Sequence, residues 1–244
     1  MPLALLALFL VVTAVLLVRA SNRERRDYRR FKRLTTTRER QLVLGKWLRE
    51  SFLVFGSLAV AVLLASWQFI GPASASALAW GPIAWLRDGV NVWVEAGVAT
   101  VFLVVLLLPL ALLRKQVGDV PAVGDIGALL PRTRGEVKYG IGLSLNAGLV
   151  EELLFRLGMP ALLFGITGNG PVAFGLAALL FGFLHIYQKA LGVIVATLLG
   201  LVFTLIYLLT GSIWIVMIVH ALIDLRSLVL IPLVIGRVWK VSTP

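Results

Sequence analysis

Ionisable side chains lie inside apolar stretches at three places in this sequence. The stretches are "EELLFR" (151–156), "FGFLH" (181–185) and "HALID" (220–224), and they contain both histidines of the chain, His185 and His220. Charged groups inside a membrane span cost about 2.5–3.5 kcal/mol each on insertion scales, and they are rare unless paired or functional. The sequence therefore predicts a shared polar site within the bilayer, built by the helices that carry these stretches.

Helical spacing separates the two adjacent glutamates. Glu152 and Arg156 are four residues apart, so they share a helix face and are predicted to form an ion pair. Glu151 is rotated from Glu152 by about 100° and points toward a different neighbour. Glu151 has no expected partner on its own helix. It is therefore either buried and protonated, or it faces a water-filled cavity and has a functional role there.

The same spacing links the other motif residues. His220 and Asp224 share a helix face, where a carboxylate can fix the tautomer of the imidazole. Phe181 and His185 also share a face, so the ring is expected to pack beside the imidazole. Each residue alone is more often a packing device than a catalyst. Their occurrence together on the last four apolar segments is typical of one midplane site.

These residue types together can carry out hydrolysis. A glutamate near one or two histidines can hold and deprotonate a water. A second histidine backed by aspartate can bind a developing oxyanion or ligate a metal. The expected reaction is hydrolysis, in which water attacks an amide within the membrane. The chain contains no cysteine, which excludes thiolate nucleophiles and disulfides. Ser144 lies two turns before Glu151, and a serine mechanism is the less favoured alternative.

The composition indicates a polytopic membrane protein. Hydrophobic residues make up 59% of the 244 positions, and mean hydropathy is +0.96. They occur in blocks of about 20 residues, the length that crosses a bilayer. We expect an all-α transmembrane bundle of about seven spans, with the catalytic core in the last four. The predicted spans are 2–18, 51–70, 97–113, 139–164, 172–187, 190–209 and 213–236.

The net charge of +11 is concentrated rather than spread. Residues 19–50 hold 12 of the 23 lysines and arginines, which is typical of a cytoplasmic loop that can also bind anionic lipid. The position of these basic residues next to a predicted span argues against a nucleic-acid partner. Loop 114–138 and the C-terminal tail are also basic, so we predict an integral plasma (inner) membrane protein with a cytoplasmic C-terminus. Segment 2–18 has no basic stretch before it and no small-residue cleavage site, and is interpreted as a retained span.

The three stretches resemble a known family when taken together and in order. "EELLFR" is similar to the EExxxR motif of the CPBP (CAAX protease and bacteriocin-processing, or Abi) family, "FGFLH" to its FxxxH motif, and "HALID" to its HxxxN/D motif. The resemblance covers about residues 139–236. It divides the chain into N-terminal spans with the basic loop (1–138) and a protease core (139–244).

This resemblance implies an intramembrane endopeptidase that acts on a membrane-associated peptide or protein. Eukaryotic members remove the last three residues of prenylated CAAX proteins, and bacterial members are linked to bacteriocin maturation, self-immunity and peptide signalling. The implied catalytic residues are Glu151, Glu152, His185, His220 and Asp224, with Arg156 and Phe181 in support. Glu151 would activate water, His185 would orient that water, and His220 with Asp224 would contact the oxyanion. The family often has asparagine at the position of Asp224, and asparagine, unlike ionised aspartate, donates a hydrogen bond.

The sequence leaves alternatives open both for the presence of a metal cofactor and for the function of the protein. The family is named as metalloproteases, but a metal-free glutamate mechanism is also argued for it. If a divalent metal such as zinc is used, Glu151, His185 and His220 are the expected ligands; otherwise there is none. A catalytically silent scaffold or immunity protein of the same family and a proton-coupled transporter are the alternative functions.

Overall fold

The computed structural model describes residues 2–20, 25–91, 96–97, 100, 102–104, 107–108, 127–234 and 238. The predicted third span (97–113) and the C-terminal tail lie largely outside these residues, as do positions 114–126 of the predicted loop at 114–138. Within the described ranges every regular element is helical and none is a strand, which confirms the all-α class.

Eleven α-helices have both ends within the described ranges, and short 3₁₀ and π segments lie between several of them. In chain order they are α1 (Pro2–Val18), α2 (Arg25–Phe31), α3 (Thr37–Ser66), α4 (Ile70–Leu78), α5 (Gly81–Gly89), α6 (Arg134–Glu152), α7 (Met159–Thr167), α8 (Gly170–Leu184), α9 (Lys189–Thr210), α10 (Ile213–Leu225) and α11 (Ile231–Val234). Two π segments interrupt the long helices: the first π segment is Leu153–Gly158, and the second is Arg226–Leu230.

Several of these helices have the length and composition of membrane spans. Among the described residues, three helical segments are long and apolar enough to cross a bilayer: Thr37–Leu78, Ile186–Thr210 and Ile213–Val234. Two shorter apolar helices cover Leu3–Val18 and Gly170–Leu184. The chain is therefore an integral membrane protein, and the number of seven spans stays a prediction.

The spans predicted at 51–70 and 97–113 leave residues 71–96 as a connecting loop, and this prediction is wrong in part, because the region contains most of α4 and all of α5. Its alanine-rich sequence favours helix, and Pro82 lies at the first turn of α5, where proline is tolerated. Helix α4 packs tightly against the start of α8. A Cβ atom added to Gly170 would lie 2.5 Å from the carbonyl oxygen of Ala73.

Turn residues define where the core helices begin and end. The side chains of Asn169 and Ser212 accept hydrogen bonds from backbone N–H groups in the first turns of α8 and α10, as N-caps do. Gly168 and Gly211 follow α7 and α9 in the left-handed conformation, with φ near 66° and 65°. Glycine is the common residue there because it has no Cβ to clash.

Both helices that carry motif carboxylates widen into a π turn directly after them. The first π segment follows Glu152, and the second follows α10. In each case a proline lies two residues beyond the π segment, at Pro160 and Pro232. Proline has no N–H and its ring clashes with the carbonyl four residues earlier. In both segments the following N–H bonds to the carbonyl five residues back, and such π turns are frequent at functional sites.

Helices α6 and α10 cross closely at a glycine. A Cβ atom built on Gly148 would lie 2.7 Å from the carbonyl oxygen of Met217 and 2.9 Å from the Cβ of Ala221. The missing side chain lets the two backbones approach. One turn further along α6, Glu152 reaches His220 on the facing helix.

We expect Gly148→Ala to lower the free energy of unfolding by about 1–3 kcal/mol, because the added methyl group must push α10 away. Thermal unfolding of the purified protein in detergent measures this effect. Gly175→Ala is the matched control, since nothing lies within 4 Å of a Cβ built on Gly175 in α8. Equal unfolding temperatures for the two variants would contradict the close crossing.

A buried ion pair joins the basic N-terminal segment to the start of α6. Arg40 is fully buried, and its Nε lies 3.0 Å from a carboxylate oxygen of Glu136. The same guanidinium donates to the carbonyls of Ala128 and Leu130 at 3.0 and 3.2 Å and lies 4.4 Å from the ring centroid of Phe31. All these residues lie within the predicted N-terminal part, 1–138, but Glu136 belongs to α6, which continues past residue 138 to Glu152.

Candidate active site

The motif side chains lie around one cavity of about 460 Å³. Those that line it are Glu151, Phe181, His185, His220 and Asp224. Glu152 and Arg156 are buried behind its wall, with exposed fractions of 0% and 1%. The structure thus brings the three sequence stretches together, and the roles of the individual residues stay predictions.

Glu152 connects two of the three motifs. One carboxylate oxygen lies 2.9 Å from Nε of Arg156, which is the ion pair expected from the spacing. The other oxygen accepts a hydrogen bond from Nδ1 of His220 at 2.6 Å. This second contact crosses from α6 to α10, so the spacing within one helix could not reveal it.

Arg156 lies between two aromatic rings. Its guanidinium carbon is 4.7 Å from the ring centroid of Phe181 and 5.2 Å from that of Phe203, as in cation–π contacts. The ring of Phe181 is also 4.9 Å from His185 and 6.3 Å from His220. Phe203, which packs 4.9 Å from His220, was not predicted. A single phenylalanine in an apolar span gives no signal that sets it apart.

Hydrogen bonds assign the tautomers of both imidazoles. Nδ1 of His185 lies 2.9 Å from the carbonyl oxygen of Phe181. A carbonyl only accepts, so Nδ1 carries the proton and Nε2 remains as an acceptor. In His220, Nδ1 donates to Glu152, and Nε2 lies 3.8 Å from a carboxylate oxygen of Asp224, beyond hydrogen-bond distance. The prediction that Asp224 fixes the tautomer of His220 is therefore corrected, because Glu152 does so.

Glu151 has surroundings unlike those of its neighbour. It is partly exposed to the cavity and forms no hydrogen bond with any residue that the structure describes. Ser144, the alternative nucleophile, donates its hydroxyl to the carbonyl of Gly140 at 2.8 Å and does not line the cavity. Glu151 is thus a cavity-lining carboxylate whose oxygens are open to a bound water.

Residues from outside the motifs complete the cavity wall. Arg19, Trp47 and Glu50 line it, although the sequence suggested no role for this region beyond topology and lipid binding. Tyr28 also lines the cavity, and its ring packs edge-on against Tyr187 with centroids 5.7 Å apart. The basic segment is therefore part of the site. The sequence offers no signal for this, because these residues are far from the motifs.

The geometry does not favour a metal site. Among the residues that the structure describes, no three or more histidine, aspartate or glutamate side chains lie close enough to hold a metal ion. The conditional ligand set of Glu151, His185 and His220 is thus not assembled. Nδ1 of each histidine is held within the protein by the carbonyl of Phe181 or by Glu152, which leaves Nε2 of each ring as the nitrogen that can contact a bound group.

The fold and this site together define an integral membrane protein whose ionisable groups converge inside a helical bundle. Residues 134–226 match the family model described as type II CAAX prenyl endopeptidase Rce1-like. The match includes all three motifs and confirms the resemblance to the CPBP family for this segment. It indicates a protease of the CAAX type. No curated protein and no solved structure matches the chain.

Proposed function

We propose that this protein is an intramembrane endopeptidase that hydrolyses a peptide bond of a membrane-associated substrate, with Glu151 as the base that activates water. One observation carries the proposal. Glu151 faces the cavity without a hydrogen bond to any described residue, whereas Glu152 is held by Arg156 and His220. A carboxylate that lines the same cavity as two imidazoles, without a hydrogen bond to a described residue, is suited to general-base catalysis.

The reaction begins with a water between Glu151 and His185. Nε2 of His185 accepts a hydrogen bond from this water and orients it, because Nδ1 is held by the carbonyl of Phe181. Glu151 takes a proton as the water oxygen bonds to the carbonyl carbon of the scissile amide. The same proton then passes to the amide nitrogen as the carbon–nitrogen bond breaks, which leaves a new carboxyl group and a new amine.

His220 stabilises the oxyanion of the tetrahedral intermediate. It lies between the carboxylates of Glu152 and Asp224. In the protonated imidazolium form both nitrogens donate, so Nε2–H is available to the oxyanion while Nδ1–H stays bonded to Glu152. Asp224 then acts through His220 rather than as a donor itself.

The proposed substrate is a membrane-associated chain, with a prenylated CAAX-like C-terminus as the first candidate because of the family match. Leu184, Val195 and Leu199 are among the apolar residues that line the cavity, and they suit an apolar peptide. We also propose location in the plasma membrane with a cytoplasmic C-terminus, and binding of anionic lipid by residues 19–50. A silent scaffold is not favoured, because the complete motif set is present.

Comparison of peptide termini in native membranes tests the proposal and requires no candidate substrate. Membranes containing the unchanged protein should show specific new termini that are absent with Glu151→Gln, which keeps size but removes the base. Equal sets of termini, with the unchanged protein and Glu151→Gln present at the same level, would contradict the protease function. The silent scaffold would then be the favoured function.

A further inference from the structure

The orientation of the His185 imidazole depends on the aromatic rings around it. The carbonyl of Phe181 holds Nδ1 at 2.9 Å, but the last side-chain torsion of histidine is only broadly restricted, so packing also decides the plane of the ring. The ring of Phe181 lies 4.9 Å away. The ring of Tyr187 lies 6.1 Å away and within 27° of parallel, which is a stacked arrangement. Tyr187 therefore limits how far the imidazole can turn.

The backbone that carries Tyr187 is not stabilised by local preference. It is a single 3₁₀ turn, Ile186–Gln188, between α8 and α9. The next residue, Lys189, has φ 66° and ψ −175°, and among the described residues no other non-glycine has a positive φ. Residues with a side chain rarely adopt this conformation, and it persists only where the surrounding structure holds it. The position of Tyr187 therefore depends on what packs against this turn.

Helix α2 packs against the turn from the basic N-terminal segment. Its two aromatic residues, Tyr28 and Phe31, are three positions apart, so they share a helix face, and both are buried. The ring of Tyr28 meets Tyr187 edge-on with centroids 5.7 Å apart. Phe31 anchors the helix to α3, because its ring lies 4.8 Å from Trp47 and 4.4 Å from the guanidinium carbon of Arg40. A path of contacts thus runs from α3 through α2 to Tyr187.

We propose that Tyr28 and Tyr187 are positioning residues for His185. Helix α2 holds Tyr187 through Tyr28, and Tyr187 holds the imidazole so that Nε2 faces the water that Glu151 activates. The expected effect on catalysis rests on the proposed endopeptidase function, whereas the orientation of the ring can be measured without it. Because α2 lies outside the matched segment 134–226, the N-terminal part of the chain would contribute directly to the order of the active site.

The histidine content makes the positioning measurable, because His185 and His220 are the two histidines of the chain. Protein labelled with ¹³C and ¹⁵N at histidine, purified in detergent without a histidine tag or substrate, gives ring signals from these two imidazoles in NMR spectra. The His185→Gln spectrum identifies the His185 signals by their loss. Tyr28→Ala should shift and broaden the His185 signals, because Tyr187 loses its support. The His220 signals should stay in place, because Nδ1 of that ring is bonded to Glu152.

Further variants separate the proposed path from a general loss of packing. Tyr28→Phe should leave the His185 signals close to their original positions, because it keeps the ring. The matched control is Tyr139→Ala, which removes a partly buried tyrosine from α6 outside the cavity and should leave the signals of both histidines unchanged. In a protein that already carries Tyr187→Ala, adding Tyr28→Ala should change the His185 signals no further, since residues that act through one another are not additive.

Hydrolysis of a synthetic peptide with a prenylated cysteine four residues from its end measures the consequence for catalysis. At equal amounts of folded protein, Tyr28→Ala and Tyr187→Ala should each lower kcat by up to about 100-fold, the cost of misplacing a catalytic group by about 1 Å. KM should change far less, because the proposed role is to orient His185. Phenylalanine at either position should retain most of the rate, and Tyr139→Ala should retain all of it.

Several results would overturn the inference. One is a set of His185 signals that Tyr28→Ala leaves unchanged. Another is an equal shift of the His185 and His220 signals, which would indicate general loss of structure. A raised KM with an unchanged kcat would make Tyr28 a substrate contact instead. If the unchanged protein cleaves no peptide, the proposed function is contradicted, and the NMR signals still decide whether Tyr28 and Tyr187 position His185.

Discussion

Replacement of Glu151 by glutamine is expected to lower the rate of peptide hydrolysis by about 10²- to 10⁴-fold, the usual contribution of a general base. Glutamine keeps the size and hydrogen-bonding capacity of the side chain but cannot take a proton from water. The free energy of unfolding should remain unchanged, because Glu151 forms no hydrogen bond with a described residue.

Hydrolysis in ¹⁸O-labelled water measures this effect, since each cut places one labelled oxygen in the new carboxyl group. Glu152→Gln is the informative comparison. That carboxylate contacts Arg156 and His220 at 2.9 and 2.6 Å, so this variant should lose both activity and thermal stability. A Glu151→Gln protein that hydrolyses at the original rate would exclude the general-base role.

Replacement of Arg156 by methionine should destabilise the protein by about 3–5 kcal/mol, the range found when one partner of a buried ion pair is removed. Methionine fills similar space between Phe181 and Phe203, but it leaves the buried carboxylate of Glu152 without its cation. The hydrogen bond from His220 remains as the other contact of this carboxylate. Unfolding in detergent, followed by temperature or denaturant, gives the difference.

A double variant separates charge from packing. Arg156→Met combined with Glu152→Gln removes both charges, so it should recover a large part of the stability lost by Arg156→Met alone. The two substitutions would then be strongly non-additive, as expected for residues in contact. Additive losses would mean that packing of the guanidinium against the rings, rather than the ion pair, stabilises this region.

The positions of the core helices were predicted from the sequence better than the residues at which the helices begin and end. Apolar blocks identified 190–209 and 213–236 closely, because the continuous helical segments run over Ile186–Thr210 and Ile213–Val234. The helical segment carrying Glu151 is longer than its predicted span of 139–164, since it begins at Arg134 and runs on through Thr167. Glu136 near its start is buried and paired with Arg40, so hydropathy underestimates its length.

Contacts between helices were beyond the reach of spacing arguments. Spacing within a helix correctly paired Glu152 with Arg156, because only one helix is involved. The hydrogen bond from His220 to Glu152 depends on how α6 and α10 cross, which is determined by the absence of a side chain at Gly148. The long distance between Asp224 and His220 has the same origin, because the ring is held toward α6 instead.

The ion pair between Arg40 and Glu136 limits where the chain can be divided into fragments that fold. The family match begins at residue 134, yet the carboxylate two positions later has its buried partner on α3. A fragment or chimaera that starts at the matched boundary would carry an unbalanced anion and lack the cavity wall that includes Trp47. The protease segment is therefore not a portable module. In related sequences we expect Arg40 and Glu136 to be inherited or lost together.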